Sequence, residues 1–175
     1  MWGTHLAWYH LLHPRPAYVI GSGEPPEGNF MTASWVTPVA TDEPLVALAL
    51  DRETYTYKLV KKYGHFTIAI VEDVNLLWKL GTKSGEEVNK LEMVEYFKGK
   101  KVPSPIPKNA IGWIEAEVKQ MIPVAEVDMV IGKVVHWEAV KGFGRRGWDL
   151  KEVKIPLQKA GRSFVFPCEE VLAKG

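Results

Sequence analysis

The sequence predicts a mainly β fold, in which antiparallel strands form a closed or partly closed barrel with helices at its periphery. Two long stretches, residues 113–123 and 127–140, alternate in polarity or are rich in β-branched side chains, as paired antiparallel strands are. Helical patterns occur only in the middle of the chain, whereas a parallel doubly wound sheet needs strands and helices in regular alternation. An antiparallel barrel with added helices accommodates this order.

The first predicted strands are separated by residues that favour turns. Residues 17–20 are predicted as a short strand, and the glycine- and proline-rich stretch that follows, through Gly28, as a turn or loop. Residues 29–39 are predicted as a second strand, stopped by Pro38. The uninterrupted apolar run 45–50 suits a strand buried on both faces.

The first helical pattern covers residues 53–63. Gly64 follows it at the position where glycine often ends a helix, because glycine tolerates the left-handed backbone needed there. The apolar face predicted for this helix consists of Tyr55, Leu59, Val60 and Tyr63.

Strands and helices continue to alternate irregularly after this helix. A strand is predicted at residues 66–71, and Asp73 is predicted to cap a second helix that ends at Gly81. A third helical pattern covers residues 86–97, followed by a proline-rich extended connector through Pro107. The two long strands come next. A last short strand is predicted at 163–166, after a tail rich in glycine and arginine.

Length and cysteine usage indicate one domain, residues 1–175, that folds without disulfides or structural metal. Folding at this size hides roughly 70% of the surface of a chain, enough for a hydrophobic core. Cys168 is the sole cysteine, which excludes an internal disulfide, a CxxC redox pair and a thiolate zinc cage. Redox chemistry would therefore require a bound cofactor. Side-chain amides are scarce while Glu and Lys are abundant, as suits a thermophile.

The charge balance indicates neither nucleic acid nor a membrane as partner. The net charge is +1, from 22 basic and 21 acidic residues, so no basic face is indicated for nucleic acid and no polybasic cluster for a membrane surface. The N-terminus lacks a basic region followed by an apolar stretch, so it does not resemble a signal peptide. The run Leu45–Leu50 is far too short to span a bilayer. We therefore expect a cytoplasmic protein.

Two patterns resemble known sites but fit ordinary structure better. Residues 142–147 match GxGxxG, yet no helix of useful length follows and no strand–helix–strand unit surrounds them, so we interpret them as a surface turn. His5, His10 and His13 lack the spacing of a metal site, and we interpret them as packing or surface residues. Neither a GxSxG elbow nor a P-loop is present to support a hydrolase or nucleotide triphosphatase.

Polar residues on two neighbouring segments predict a phosphate pocket. Residues 29–35 place an amide and two hydroxyls on a strand that leaves a glycine-rich loop, and residues 51–56 open a helix. The N–H groups and dipole of a helix N-terminus favour an anion. Arg52 can bond a phosphate through two nitrogens, and further hydroxyls come from Thr32, Ser34, Thr54 and Thr56. These residues equally allow a solvated Arg52 and a Thr54 that only caps the helix.

At these residues the sequence resembles the flavin-reductase-like family of FMN-binding split barrels, which includes the flavoredoxins. The family's Arg-Pro step into a strand and small-residue turn is matched by residues 15–23, and its Asn-x-Met-Thr-x-Ser block by residues 29–34. Its polar turn with Arg and Thr is matched by residues 52–54. Residues 84–91 are similar to its Ser-Gly…Asp-Lys-Phe block, with Asn for Asp and Leu for Phe. The ordered match covers most of residues 14–140.

The resemblance implies an FMN-binding split β-barrel that forms a homodimer, with FMN at or near the subunit interface. Main-chain groups of residues 31–35 would face the isoalloxazine ring. Arg52, Thr54 and Thr56, with Thr32 and Ser34, would hold the ribityl-phosphate arm, and Lys90 is a further candidate from either subunit. The full set implied at the cofactor is Asn29, Met31, Thr32, Ala33, Ser34, Trp35, Asp51, Arg52, Thr54, Thr56 and Lys90.

One departure from the family concerns the electron donor. Many family reductases carry Gly-Asp-His before a Val-Gly-Glu-Val strand, and the corresponding residues here are Ala125, Glu126 and Val127, without the histidine. This weakens the inference that NADH or NADPH is the donor. Two functions stay open: NAD(P)H-dependent reduction of flavin or ferric acceptors, and a flavoredoxin-type FMN carrier that exchanges electrons with a redox protein partner. The choice between FMN and FAD also stays open.

Overall fold

The computed structural model describes residues 7–171 and 173, which form a largely β structure with two α-helices. The helices are α1 (Tyr55–Tyr63) and α2 (Val74–Thr82), and short 3-10 helices span Trp8–Leu12 and Lys90–Glu92. The strands are β1 (Arg15–Pro16), β2 (Tyr18–Glu24), β3 (Glu27–Ala33), β4 (Val36–Ala40), β5 (Leu45–Asp51), β6 (His65–Ile70), β7 (Tyr96–Lys98), β8 (Pro105–Pro107), β9 (Gly112–Val124), β10 (Val127–Ala139), β11 (Phe143–Gly144), β12 (Gly147–Trp148), β13 (Leu157–Ala160) and β14 (Ser163–Val165). No helix in this part of the chain is long and apolar enough to cross a membrane.

Seven strands form one antiparallel sheet that curls into a barrel. Their order is β3-β2-β6-β9-β10-β5-β4, so the two edge strands, β3 and β4, are consecutive in the chain. Only Ser34 and Trp35 separate them, which brings the two edges of the sheet together. The carbonyl of Trp35, which directly precedes β4, accepts the amide N–H of Ala49 on β5 at 3.1 Å. The barrel is therefore split between β3 and β4.

The barrel interior is filled by apolar side chains from alternate positions of its strands. Buried members include Ile20, Leu48, Phe66, Ile68 and Val130, with Tyr57 and Val60 of α1 packed against them. Gly132 is required here, because a Cβ at this position would lie 2.6 Å from the ring of Phe66. The long paired strands β9 and β10, predicted from alternation, are confirmed.

Helix α1 ends where the sequence predicts and begins two residues later, at Tyr55. The Thr54 hydroxyl accepts the N–H of Tyr57 at 3.2 Å, and Gly64 ends the helix with φ of 75°. The buried face differs in part from the predicted one, since the buried side chains are Thr56, Tyr57, Leu59 and Val60. Tyr55 and Tyr63 lie only partly buried.

A second apolar layer lies outside the barrel beneath α2. The Asp73 carboxylate caps α2 through the N–H groups of Asn75 and Leu76, as predicted. Leu77 and Leu80 of α2 pack in one cluster with Phe30 of β3. The helix predicted over 86–97 is wrong: this stretch contains the second 3-10 helix and β7, because β7 pairs with the proline-rich strand β8.

Two boundaries in the first half of the chain also differ from the prediction. Gly21 belongs to β2 rather than to a turn, because its lack of a side chain admits the carbonyl of Pro105, which a Cβ would approach to 1.9 Å. The chain turns instead at Pro25 and Pro26. The strand predicted over 29–39 is two strands, interrupted where the chain passes from one edge of the sheet to the other.

The GxGxxG segment forms a surface hairpin, as interpreted from the sequence. Phe143 on β11 pairs with Trp148 on β12, and the turn between the strands consists of Arg145 and Arg146. Farther along the tail, β13 pairs with both β14 and β1, so the predicted last strand is confirmed within a small three-stranded sheet.

One face of the barrel sheet carries apolar side chains that lie outside the clusters of the core. On β10, Met129 lies opposite both Ala49 of β5 and Ile122 of β9, and Ile131 lies opposite Ala47. These five side chains, which we call the open face, belong to none of the apolar clusters of the described residues. Ile122 is 39% exposed.

Candidate functional site

The polar residues of β3 and α1 meet at one end of the split. Asn29 on β3 and Thr56 in the first turn of α1 are both buried, and the Asn29 amide donates to the Thr56 hydroxyl at 2.9 Å. The Asn29 carbonyl oxygen is buried without a partner among the described residues. Gly85 lies against Asn29 and Tyr55, so close that a Cβ would clash with both. A loop outside the sheet therefore closes over this end of β3.

Hydrogen bonds within the chain organise the start of α1. Asp51 accepts the Glu53 amide on its carboxylate at 2.9 Å and the Thr54 hydroxyl on its carbonyl at 2.7 Å. Thr54 in turn caps the Tyr57 amide. The N–H groups of a first helical turn have no partner within the helix, and they favour an anion.

Arg52 is held against the turn between β9 and β10. Its Nε donates to the Asp128 carboxylate at 2.6 Å, and its two terminal nitrogens donate to the carbonyls of Ala125 at 2.6 Å and Val127 at 2.9 Å. The Tyr57 hydroxyl donates to the second Asp128 oxygen at 3.0 Å. The hydrogen bond from Arg52 lowers the pKa of Asp128, and that from Tyr57 lowers it further. A guanidinium carries five N–H donors, so two remain for a ligand.

Thr32 and Lys90 meet at the last turn of α2, on the outer side of β3. The Thr32 hydroxyl donates to the Leu77 carbonyl at 2.6 Å, and the Lys90 ammonium donates to the Leu80 carbonyl at 2.7 Å. Lys90 is only 3% exposed, and it makes no ion pair with any described carboxylate. Burial lowers its pKa to about 8. The Leu80 carbonyl is thus the hydrogen-bond partner of this ammonium among the described residues.

The predicted site residues thus fall into separate groups rather than one continuous pocket. Hydrogen bonds join Asn29 to Thr56 and Asp51 to Thr54, whereas Arg52 contacts the β9–β10 turn. Because side chains alternate along β3, Met31 and Ala33 face the barrel interior and Thr32 faces α2. Ser34 and Trp35 form the link at the far end of β3.

A cavity of about 290 Å³ adjoins that link and contains residues assigned above to packing. Its walls include Ser34 and Trp35 together with Tyr9, His10 and His13 of the N-terminal segment. The Tyr9 and Trp35 rings pack edge to face, 5.6 Å apart. His13 contacts the Gln158 carbonyl through Nδ1 at 3.2 Å, while its Nε2 is buried without a partner. This placement could not be predicted, because nothing in the sequence locates residues 7–13 against residue 35.

No group of three metal-binding side chains comes together within residues 7–171 and 173. His5 lies outside the described residues, so its interpretation as an ordinary residue stays a prediction. The other two histidines pack ring against ring, with centroids 5.6 Å apart. The donors described above, N–H groups and an ammonium, suit an anionic ligand rather than a metal cation.

Comparison with known proteins identifies the family. Residues 10–150 match the model of the flavin reductase like domain. The chain belongs to this family. An uncharacterized relative from Pyrococcus abyssi is 34% identical over 131 residues, which cover 74% of this chain and 76% of the relative.

Two solved structures of the flavin-reductase-like fold superpose on nearly the whole chain. An FMN-binding protein from Thermus thermophilus, with bound 1-cyclohex-2-enone, aligns with a TM-score of 0.87 and 25% identity, over 99% of this chain and 97% of that one. Flavoredoxin from Methanosarcina acetivorans aligns with a TM-score of 0.84 and 19% identity, over 99% and 93% of the two chains. The predicted mainly antiparallel split barrel is confirmed.

Proposed function

We propose that this chain binds FMN at the split of the barrel and uses it as an oxidoreductase. The observation that carries the proposal is Lys90, a buried ammonium without a carboxylate partner beside β3. Asn29 lies on β3 as well. Its side-chain oxygen has no partner among the described residues, and its amide donates to Thr56 in the first turn of α1. Membership of the flavin reductase like family and the similarity to an FMN-binding protein support flavin as the ligand.

The cofactor would be held along β3 and the start of α1. Main-chain groups of residues 31–35 would face the ring, and Arg52, Thr54 and Thr56, with Thr32 and Ser34, would hold the phosphate arm. Asp51 would fix the turn that carries Arg52, and Lys90 would neutralise a phosphate charge. Bound FMN would supply a ring that takes up and releases electrons.

Two candidate reactions are supported by different observations. NADH- or NADPH-dependent reduction of flavin or ferric acceptors follows the family name, and exchange with a redox protein follows the similarity to a flavoredoxin. Where family reductases carry Gly-Asp-His, this chain has a turn whose carbonyls bind Arg52. We favour the reductase and retain the carrier as the alternative.

The cavity beside Ser34 and Trp35 is the proposed entry for a small donor or acceptor. The Gln158 carbonyl can only accept, so the neutral His13 donates from Nδ1 and leaves Nε2 as an acceptor that faces no partner among the described residues. The enone bound to the Thermus thermophilus protein is compatible with a small carbonyl compound as acceptor.

A homodimer would cover the open face. Five apolar side chains on a sheet without a packed partner form the kind of surface that subunits bury. A second copy bound there would also place its residues beside the split. The reason is that β5 contributes Ala47 and Ala49 to the open face and Asp51 to the site.

The test of the proposed function is an anaerobic visible spectrum of the purified protein, before and after NADH or NADPH is added. We expect flavin absorption bands that bleach with one of the two nucleotides, which would also name the donor. Bands that persist until dithionite is added would instead favour the carrier. No flavin bands after incubation with FMN would refute the proposed site.

FMN affinity should fall as the pH rises through about 8, where Lys90 loses its proton. The ammonium is present below this pH and attracts the phosphate. Above it, the free protein must first take up a proton, so the dissociation constant should rise up to about tenfold per pH unit. Fluorescence titration with FMN between pH 6.5 and 9.5 measures this slope. Lys90→Met should bind weakly and without the slope, and an equal slope in both proteins would contradict the assignment.

Arg52→Ala should weaken FMN binding by about tenfold or more, because a charge-assisted contact to the phosphate is lost. Tyr57→Phe is the matched control: it removes the other hydrogen bond to Asp128 but no predicted contact to the phosphate. FMN titration of both variants, below their thermal midpoints, distinguishes the two roles. Equal weakening in both would mean that the network shapes the site without Arg52 touching FMN.

The wild-type protein should sediment as a dimer, at about twice the 19.7 kDa chain mass. Met129→Glu should shift it to the monomer, because a carboxylate would be buried at the centre of the interface. Val171→Glu places the same charge at a side chain that is 76% exposed and should leave the dimer intact. A monomeric wild type would rule out the proposed interface.

A further inference from the structure

The surface hairpin formed by residues 142–148 joins two features with separate ligand chemistry. Phe143 lies between two tryptophans, with its ring centroid 5.9 Å from that of Trp137 and 4.9 Å from that of Trp148. Two residues farther along, Arg145 and Arg146 form the exposed turn. Aromatic rings and guanidinium groups therefore lie at the base and the tip of one short hairpin.

The aromatic part encloses a cavity of about 250 Å³ between the hairpin and the barrel. Its walls are almost entirely apolar and consist of Ile70, Trp113, Ile114, Trp137, Phe143 and Trp148, with Glu138 beside them. Glu138 is already paired with Lys100 and His136. Trp137 is 60% exposed and Phe143 45%, although large aromatic side chains are normally covered. This cavity can take a flat apolar ring.

The polar part is a cleft of about 510 Å³ that shares Phe143 and Trp148 with the cavity. Neither Arg145 nor Arg146 makes an ion pair or side-chain hydrogen bond within the described residues. Asp149, Glu152 and Glu170 also line the cleft, together with Lys151, so its overall field is not strongly positive. An anion would have to be gripped directly by the guanidinium groups, which bond phosphate through paired N–H donors.

We propose that this hairpin is a binding site for a nucleoside phosphate, with the base in the aromatic cavity and the phosphate on Arg145 and Arg146. A base has a flat π face that stacks on aromatic rings, and the phosphate supplies the anion that the arginines lack. Phe143 and Arg145 are two residues apart, so their Cα atoms lie at most about 7 Å from each other. One molecule with a base, a sugar and a phosphate spans both parts.

The recognition differs from that of a dinucleotide-binding loop despite the GxGxxG pattern. In that loop the phosphate lies on the N-terminus of a following helix. Here the glycines permit the hairpin, with φ of 62° at Gly142 and 90° at Gly147, and side chains would supply the contacts. The site is separate from the proposed flavin site, so it does not depend on the proposed function.

The experiment is calorimetric titration of the full chain with AMP, adenosine and inorganic phosphate. We expect AMP to bind at least about tenfold more tightly than either part alone, because it occupies both features. Arg145→Ala/Arg146→Ala should reduce AMP affinity to that of adenosine and leave adenosine unchanged. Trp137→Ala should lower the affinity for both AMP and adenosine. The control Lys83→Ala/Lys98→Ala removes the same charge from exposed positions elsewhere and should bind AMP normally.

Four results would overturn the proposal. In the first, AMP does not bind the protein at millimolar concentration, and in the second it binds the double arginine variant with wild-type affinity. Loss of the visible FMN bands together with AMP binding in that variant would place AMP in the flavin site instead. A protein that never binds FMN but binds AMP as expected would sustain this proposal while refuting the proposed function. A change in sedimentation of Trp137→Ala without AMP binding would make the aromatic patch a contact between chains.

Discussion

The fold depends on one constraint: the two edge strands of a seven-stranded sheet are neighbours in the chain. Only Ser34 and Trp35 lie between β3 and β4, so the sheet must curl until its edges meet. The Trp35 carbonyl is taken by Ala49 of β5, which fixes the link to the β4 side and leaves β3 with a free edge. The split, and every polar group along it, follows from this connection.

Arg52 links the split to the opposite hairpin. It follows β5 and precedes α1, yet its side chain binds the turn between β9 and β10. That turn holds the residues that occupy the family's Gly-Asp-His positions. One arginine thus stabilises the segment in which this chain departs from the family, and two of its five N–H donors remain unused by these bonds. The carbonyls that bind Arg52 therefore belong to the same turn in which this chain lacks the family's histidine.

The sequence was sufficient where a pattern reports local geometry. Alternation predicted β9 and β10, Gly64 predicted the end of α1, and Asp73 predicted the start of α2. It was insufficient where distant contacts decide. Residues 86–97 have a helical pattern, but pairing with β8 extends their end, and the contact between Arg52 and Asp128 joins positions 76 apart. The family motifs pointed to the candidate site residues. Their spacing did not predict that Thr32 faces α2 while Met31 and Ala33 face the barrel interior.

The buried charges of the described chain separate structural groups from one that is poised for a ligand. Glu115 accepts three backbone N–H groups, from residues 100–102; burial alone would raise its pKa, but these bonds lower it. Asp128, held by Arg52, shifts in the same direction. Both folded environments therefore favour the charged form. The environment of Lys90 favours the neutral form, because burial removes its ammonium from water. Its hydrogen-bond partner among the described residues is a carbonyl rather than a carboxylate, which is why we propose it as the group that meets an anionic ligand.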